Sequence, residues 1–162
     1  MQPIRVHNFG TFFTTTQTSE RRSIFQVEET AHLFLRVLYT YAAQRRFLLH
    51  EFVVMPDHVH LILTPAETLE RAMQLIKGGF SRELSRAGSR RFEIWQRGFS
   101  DHRIRDADDY LYHREYIYQN PVKARLCGKP EEFPYSSANG RYKLDSIPQR
   151  LKPISLATKQ HG

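Results

Sequence analysis

Two histidines, His58 and His60, stand one residue apart inside the apolar run VVMPDHVHLILTP. Residues i and i+2 of a β-strand project from the same face of a sheet, so both imidazoles are expected to point to one place. Neutral imidazole is the commonest protein ligand for metal ions, and two parallel rings can chelate one divalent ion. The spacing therefore indicates a possible metal site on a strand.

Three interpretations of this histidine pair compete. The rings can simply form hydrogen bonds on a polar sheet face. A closed structural zinc site is disfavoured, because the chain has one cysteine and no HExxH motif. A two-histidine phosphoesterase needs two His-x-Thr/Ser segments, whereas Leu61 and Ile62 follow His60 and no second copy occurs. The pair leaves its chemistry open and requires a third ligand and a nucleophile.

The segment HREYIYQNPVKARL supplies candidates for both roles. Tyr116 and Asn120 are four residues apart and would share one helix face, with Tyr112 one turn earlier. The amide oxygen of Asn120 suits a hard divalent ion, and Pro121 predicts a helix end there. A phenol on this face could attack a phosphodiester, but the same tyrosines, or Tyr118, could instead pack the helix against a sheet.

Composition favours one ordered, basic domain. The 162 residues are 40% hydrophobic and 12% aromatic, and the formal net charge is +7. A sequence pI of about 9.8 is typical of chains that bind polyanions, most often nucleic acid. The lone Cys127 excludes an internal disulfide framework and favours the reducing cytoplasm. The opening MQPIRVHNFG lacks the apolar core of a signal peptide, and no run approaches the ~18–20 apolar residues that cross a membrane.

Periodicity and turn signals predict the elements that carry these residues. Strands are expected at four places: 7–18, 47–55, 58–64 and 95–105. A tight turn is expected at Pro56-Asp57. Helices are expected at three places: 28–46, from the Thr68 cap through Phe80, and from the Asp106–Asp109 cap to Pro121.

This order predicts an α+β fold. A split βαβ pattern is typical of a ferredoxin-like or RRM-like antiparallel four-stranded sheet with helices on one face, here with the candidate tyrosine on an additional helix. We expect a single domain over residues 1–140, followed by a loosely attached basic tail over residues 141–162.

Four blocks of the sequence together resemble a known family. MPDHVHLIL, IKGGFSRELSR, WQRGFSDHRIRD and YIYQNPVKARL resemble the REP-associated tyrosine transposases, which are single-tyrosine transposases of the HUH nuclease superfamily. The likeness runs from about Thr11 to Ser137, with the blocks in family order. In this resemblance His58 and His60 match the histidine–hydrophobe–histidine metal motif. Tyr116 matches the catalytic tyrosine, and Asn120 matches the third metal ligand.

The resemblance implies a metal-dependent DNA transposase and endonuclease. Such an enzyme uses Mg²⁺ or Mn²⁺ to cleave and rejoin single-stranded DNA beside palindromic hairpins through a 5′-phosphotyrosine link. His102, in the block FSDHRIR, becomes a candidate for support of the active site, whereas His113 is expected to be exposed. Two alternatives remain: a catalytically quiet module that binds hairpins, and a replication-initiator-type nicking protein with Tyr112 and Tyr116 as a catalytic pair. The protein is expected to act away from membranes, as a monomer or a homodimer.

Basic side chains are the candidates for contact with DNA. Arginine binds phosphate through two parallel hydrogen bonds, although a solvated helix face is the alternative explanation. One group lies on the second helix and the loop after it: Lys77, Arg82, Arg86, Arg90 and Arg91. A second group flanks the tyrosine helix: Arg103, Arg105 and Lys123.

Overall fold

A computed structural model describes residues 10–88 and 93–153 of the chain. The strands are β1 (Phe12–Gln17), β2 (Phe47–Met55), β3 (His58–Pro65) and β4 (Ser100–Arg103). The helices are α1 (Glu28–Ala43), α2 (Leu69–Ala87) and α3 (Ala107–Lys123). All strand pairs are antiparallel, in the order β2-β3-β1-β4. Because β3 lies between β1 and β2, the βαβ unit is split, and the predicted ferredoxin-like α+β fold is confirmed.

Side chains of the central strands alternate between two cores. Val59 and Leu61 of β3 pack with α1 and α2, whereas Ile62 packs with Ile117 of α3. Burying each such side chain contributes roughly 1.5–3 kcal/mol, which holds α1 and α2 on one face and α3 on the other. Trp95 is buried in the first core. Within the described residues, no helix combines the length and apolarity needed to cross a membrane.

Helix α2 begins at the capping residue that the sequence predicts. The Thr68 hydroxyl accepts a hydrogen bond from the Arg71 N–H at 3.1 Å and caps the helix. The helix continues through Gly78-Gly79, and Gly79 has a packing role there. A Cβ atom at Gly79 would lie 2.7 Å from the Tyr41 ring, so the glycine allows α1 to approach closely.

Two predicted boundaries near the site are wrong. β4 covers only Ser100–Arg103, because Gly98 adopts a φ of +76° and separates the strand from an isolated bridge at Trp95. Helix α3 continues past Pro121 to Lys123 instead of ending at the proline. A proline in the last turn forfeits one backbone hydrogen bond, and burial of its ring offsets that loss. Asn120 therefore lies within the helix.

The segment 141–153 packs on the domain and is not the loosely attached tail that the sequence predicts. The Leu49 N–H donates to Asp145 Oδ2 at 2.9 Å, and the Asp145 N–H donates to the Leu49 carbonyl at 2.7 Å. The Tyr39 hydroxyl donates to the Lys143 carbonyl at 2.7 Å. Leu151 is fully buried beside α3. Residues 154–162 of the predicted tail lie outside the described residues.

Candidate active site

His60 presents a buried nitrogen without a hydrogen-bond partner. It faces α3, and its Nδ1 lies 2.9 Å from the hydroxyl of Thr15 on β1. Its Nε2 is buried and makes no hydrogen bond in the described part of the chain. Burial, followed by the proximity of His58, lowers the pKa of His60 to about 3. A neutral ring that donates from Nδ1 has a free lone pair on Nε2, and this form binds metal ions.

His58 is oriented by a carboxylate in the preceding turn. Its Nδ1 lies 2.7 Å from Asp57 Oδ1, while Arg21 Nε donates to Asp57 Oδ2 at 3.0 Å. Burial raises the pKa of Asp57, but the hydrogen bonds from His58 and Arg21 outweigh burial and hold it below its usual value. The rings of His58 and His60 lie 4.8 Å apart between centroids. Metal-binding histidines commonly donate the N–H of the ring nitrogen that does not bind the metal to a carboxylate, and Asp57 can accept such a hydrogen bond from His58 Nδ1.

Tyr116 of α3 lies against the same face of the sheet. Its ring meets His60 edge to face, with centroids 5.2 Å apart, and meets Phe13 in the same way at 5.8 Å. The side chain is 40% exposed and lines an open groove along α3 that also includes Tyr112 and Lys123. The phenol ring therefore stands between a buried imidazole and solvent, where a large substrate can reach it.

Two other tyrosines fix α3 to the sheet. The hydroxyls of Tyr110 and Tyr118 donate to the two oxygens of buried Glu51, at 3.0 and 2.9 Å, and Ser137 Oγ donates to the same carboxyl group at 2.7 Å. Burial, and then Glu51, raise the pKa of both tyrosines. Sequence reasoning missed this network, whose only signal was an acidic residue in the apolar run FLLHEFVVM.

The remaining candidates on α3 differ in their surroundings. Tyr112 is 68% exposed, and its ring meets His113 at 5.1 Å, whereas the ring of Tyr116 meets His60. The two tyrosines that a replication initiator would pair are therefore not equivalent here. Asn120 is partly buried, one turn after Tyr116, and helical geometry places it on the same side of α3.

A second polar cluster lies across Phe13 from His60. His102 Nε2 lies 2.8 Å from Asp109 Oδ2, and His113 Nδ1 lies 3.2 Å from Asp109 Oδ1. The two imidazoles stack with centroids 4.5 Å apart, and His113 packs on Phe13 at 4.8 Å. One ligand atom from each of His102, Asp109 and His113 falls within 4.8 Å of the others, so the cluster could hold a metal ion.

This cluster bears on two expectations from the sequence. The side chain of His113 is only 13% exposed, so the expectation that it is exposed is wrong. His102 is the cross-strand partner of Phe13, whose ring meets Tyr116, so its support of the active site stays a prediction. Burial raises the pKa of Asp109, but the Arg105 N–H and His102 outweigh burial and keep it below its usual value.

The basic residues that the sequence predicts to contact DNA lie on different parts of the structure. The Lys77 ammonium donates to the carbonyls of Gln96 and Gly98, at 3.2 and 2.6 Å, and supports the loop before β4. Burial lowers the pKa of Lys77. Three others are exposed near β4 or on α3: Arg103, Arg105 and Lys123. Arg82 and Arg86 belong to α2, on the sheet face opposite α3. Arg90 and Arg91 lie outside the described residues.

Comparisons with known proteins agree with this arrangement. Residues 13–120, which include both histidines, Tyr116 and Asn120, match the family described as IS200-like transposases. The chain is 32% identical over 145 residues to the REP-associated tyrosine transposase of Escherichia coli strain K12, and the match covers 84% of each chain. It also superposes on the solved structure of a REP-associated tyrosine transposase bound to a REP hairpin. That match has a TM-score of 0.70 and 27% identity, and covers 96% of each chain. The chain therefore belongs to the IS200-like transposases and, within them, to the REP-associated tyrosine transposases.

Proposed function

We propose that this protein cleaves and rejoins single-stranded DNA beside palindromic hairpins, with Tyr116 as the nucleophile. The observation that carries the proposal is the ring contact between Tyr116 and His60, whose buried Nε2 has no hydrogen-bond partner among the described residues. The hairpin in the related solved structure supports DNA of this shape as the substrate.

His58, His60 and Asn120 are the proposed ligands of a divalent cation. His60 fits this role because its buried Nε2 has no hydrogen-bond partner among the described residues. His58 fits it because Asp57 contacts Nδ1 and so leaves the lone pair of Nε2 available. Two nitrogen ligands and one oxygen favour Mn²⁺ on softness grounds, whereas Mg²⁺ is the more abundant alternative. Such an ion supplies Lewis-acid stabilisation of charge on an oxygen of the scissile phosphate.

The phenol oxygen of Tyr116 attacks the scissile phosphorus. The bond from phosphorus to the 3′ oxygen breaks, that oxygen takes up a proton, and the 5′ phosphate becomes esterified to Tyr116. The phenol proton passes to solvent, which reaches this partly exposed side chain. A 3′-hydroxyl from another strand then attacks the phosphotyrosine, so that a new phosphodiester forms and Tyr116 leaves and regains its proton. The phosphoester bond energy is retained throughout, so rejoining needs no external energy source.

Placement of the nucleophile depends on the anchors of α3. Tyr110 and Tyr118 bind Glu51 from positions on either side of Tyr116 and fix the rotation of the helix. Because His60 and Tyr116 meet within one chain, we propose that a monomer holds a complete site in which the tyrosine acts in cis. Contact with DNA is proposed for the basic side chains named from the sequence: Lys77, Arg82, Arg86, Arg90, Arg91, Arg103, Arg105 and Lys123.

A denaturing gel tests this function directly. The protein is incubated with a hairpin oligonucleotide that carries a labelled single-stranded flank, in Mn²⁺ or in EDTA. We expect cleavage and a slowly migrating covalent protein–DNA species in Mn²⁺ and neither product in EDTA. Hairpin binding without either product in Mn²⁺ or Mg²⁺ would instead identify a quiet binding module.

A further inference from the structure

A cleft of about 510 Å³ opens at the other end of the strands from His58. It lies where β1 begins and β3 ends, beside Thr11 and Thr64. Thr11 precedes Thr15, the partner of His60, by four residues, which corresponds to roughly 13 Å along the strand. The cleft is therefore separate from the candidate active site but within the reach of a few nucleotides.

Three arginines from separate segments line this cleft. Arg103 ends β4, Arg105 lies in the link to α3, and Arg150 belongs to the C-terminal segment. None of the described residues that line the cleft is acidic. Arg105 Nε contacts Asp109 at 3.4 Å, so one carboxylate outside the lining offsets part of the charge. Like charges gathered at a concave surface focus a positive potential and attract anions.

Backbone groups lie close to two of the arginines. Arg150 Nη1 donates to the Arg105 carbonyl at 3.0 Å. The guanidinium of Arg103 lies over Gly10, where an added Cβ would come within 2.9 Å of Arg103 Nε. Gly10 also has a φ of +74°, a conformation that other residues rarely adopt. A larger residue at position 10 would require the Arg103 side chain to move.

Buried polar side chains beneath the cleft are hydrogen-bonded in series and connect it to the C-terminal segment. The hydroxyls of Thr11 and Thr64 are 2.7 Å apart, and Thr64 Oγ1 lies 2.7 Å from His50 Nε2. His50 Nδ1 in turn lies 2.7 Å from the Asp145 carbonyl. The segment that carries Arg150 is thus fixed to the sheet by hydrogen bonds.

We propose that this cleft binds backbone phosphates of the DNA that is cut at Tyr116, with Arg103 and Arg150 as the principal contacts. The inference rests on the proposed function, and it gives the C-terminal segment a role in DNA binding. Guanidinium groups bind phosphate oxygens through paired hydrogen bonds. The phosphodiester can come from the hairpin stem or from the single-stranded flank, which share this chemistry.

The test measures binding without cleavage, so it does not depend on catalysis. In the full-length Tyr116→Phe protein, Arg103→Gln/Arg150→Gln is compared with a control, Arg36→Gln/Arg71→Gln. The control removes the same charge from exposed positions on α1 and α2. Fluorescence anisotropy at several salt concentrations follows three probes: the hairpin with its flank, the hairpin alone and the flank alone.

We expect the cleft variant to lose about 10-fold or more in affinity for the complete probe, with a salt slope that falls by roughly 1.5–2 because about two phosphate contacts are lost. The control should change affinity less than about 2-fold. Weaker binding of the probe that is only a hairpin assigns the phosphates to the stem. Weaker binding of the probe that is only the flank assigns them to the single strand. Equal affinity and equal salt slopes for both variants on all three probes would overturn the proposal. Failure of the proposed function appears separately, as tight binding by the wild-type protein with no covalent adduct.

Discussion

The ring of Tyr116 meets the ring of His60 edge to face, with centroids 5.2 Å apart and planes at 77°. Helix α3 supplies one ring and strand β3 supplies the other. The contact places the proposed nucleophile beside an imidazole whose buried Nε2 makes no hydrogen bond to the part of the chain that the structure describes. It also distinguishes Tyr116 from Tyr110 and Tyr118, whose hydroxyls are bound to Glu51.

Loss of either strand histidine should stop cleavage and spare binding. We expect His58→Ala and His60→Ala each to reduce single-turnover cleavage by about 10²-fold or more, because charge on the scissile phosphate loses its stabilisation. Hairpin affinity, measured by anisotropy, should stay within about 2-fold, since phosphate contacts dominate it. His32→Ala, an exposed histidine on α1, is the matched control. Cleavage by either variant at the wild-type rate in Mn²⁺ would contradict the assignment.

Metal binding should distinguish the two histidine clusters. Titration of metal-free protein with Mn²⁺, followed by electron paramagnetic resonance, should show a site that His60→Ala removes and His113→Ala preserves. The physical reason is that Nε2 of His60 has no partner within residues 10–88 and 93–153, whereas His102 and His113 are already bonded to Asp109. The reverse result would place the metal ion in the cluster of His102, Asp109 and His113.

Glu51 should couple stability to catalysis. Glu51→Gln replaces an acceptor of three hydroxyl groups by an amide, and we expect a loss of about 2 kcal/mol in the free energy of unfolding. Cleavage should fall by more than hairpin affinity, because small displacements of α3 misplace Tyr116. Urea unfolding and single-turnover kinetics measure the two effects. Glu67→Gln, at an exposed position before α2, is the control, and a Glu51→Gln protein as stable as this control would refute the anchoring role.

His50 should make stability depend on pH. Burial lowers the pKa of His50, so the unfolded chain binds a proton at this residue more readily than the folded protein does once the pH falls below about 6.5. The unfolded state then binds more protons, so this contribution to stability is complete above about pH 6.5 and is lost as the pH falls. Between pH 7.5 and 5.5, urea unfolding in EDTA should show a larger loss of stability for the wild type than for His50→Gln. Equal losses would contradict a lowered pKa of His50 in the folded protein.

Elements specified by neighbouring residues could be predicted from the sequence. The turn at Pro56-Asp57 and the Thr68 cap each depend on residues within one turn of chain. Alternation along β3 also placed His58 and His60 on one face before any tertiary contact was known. Local sequence therefore predicted that these two candidate ligands are neighbours on the sheet.

Contacts between distant residues could not be predicted in the same way. Leu49 and Asp145 lie 96 positions apart, and their hydrogen bond holds a segment whose composition alone indicated a free tail. The choice among the tyrosines of α3 likewise depends on how the helix rotates against the sheet. Helical periodicity cannot supply that angle, which the buried carboxyl group of Glu51 fixes.

Identification of the linked amino acid tests the central claim most directly. A covalent adduct formed on a flanked hairpin oligonucleotide is digested with protease and nuclease, and the nucleotide-bearing peptide is sequenced by mass spectrometry. We expect the nucleotide on Tyr116, loss of the adduct in Tyr116→Phe, and an adduct of wild-type amount in Tyr112→Phe. A nucleotide on Tyr112, or an undiminished adduct from the Tyr116→Phe protein, would contradict the assignment of Tyr116 as the nucleophile.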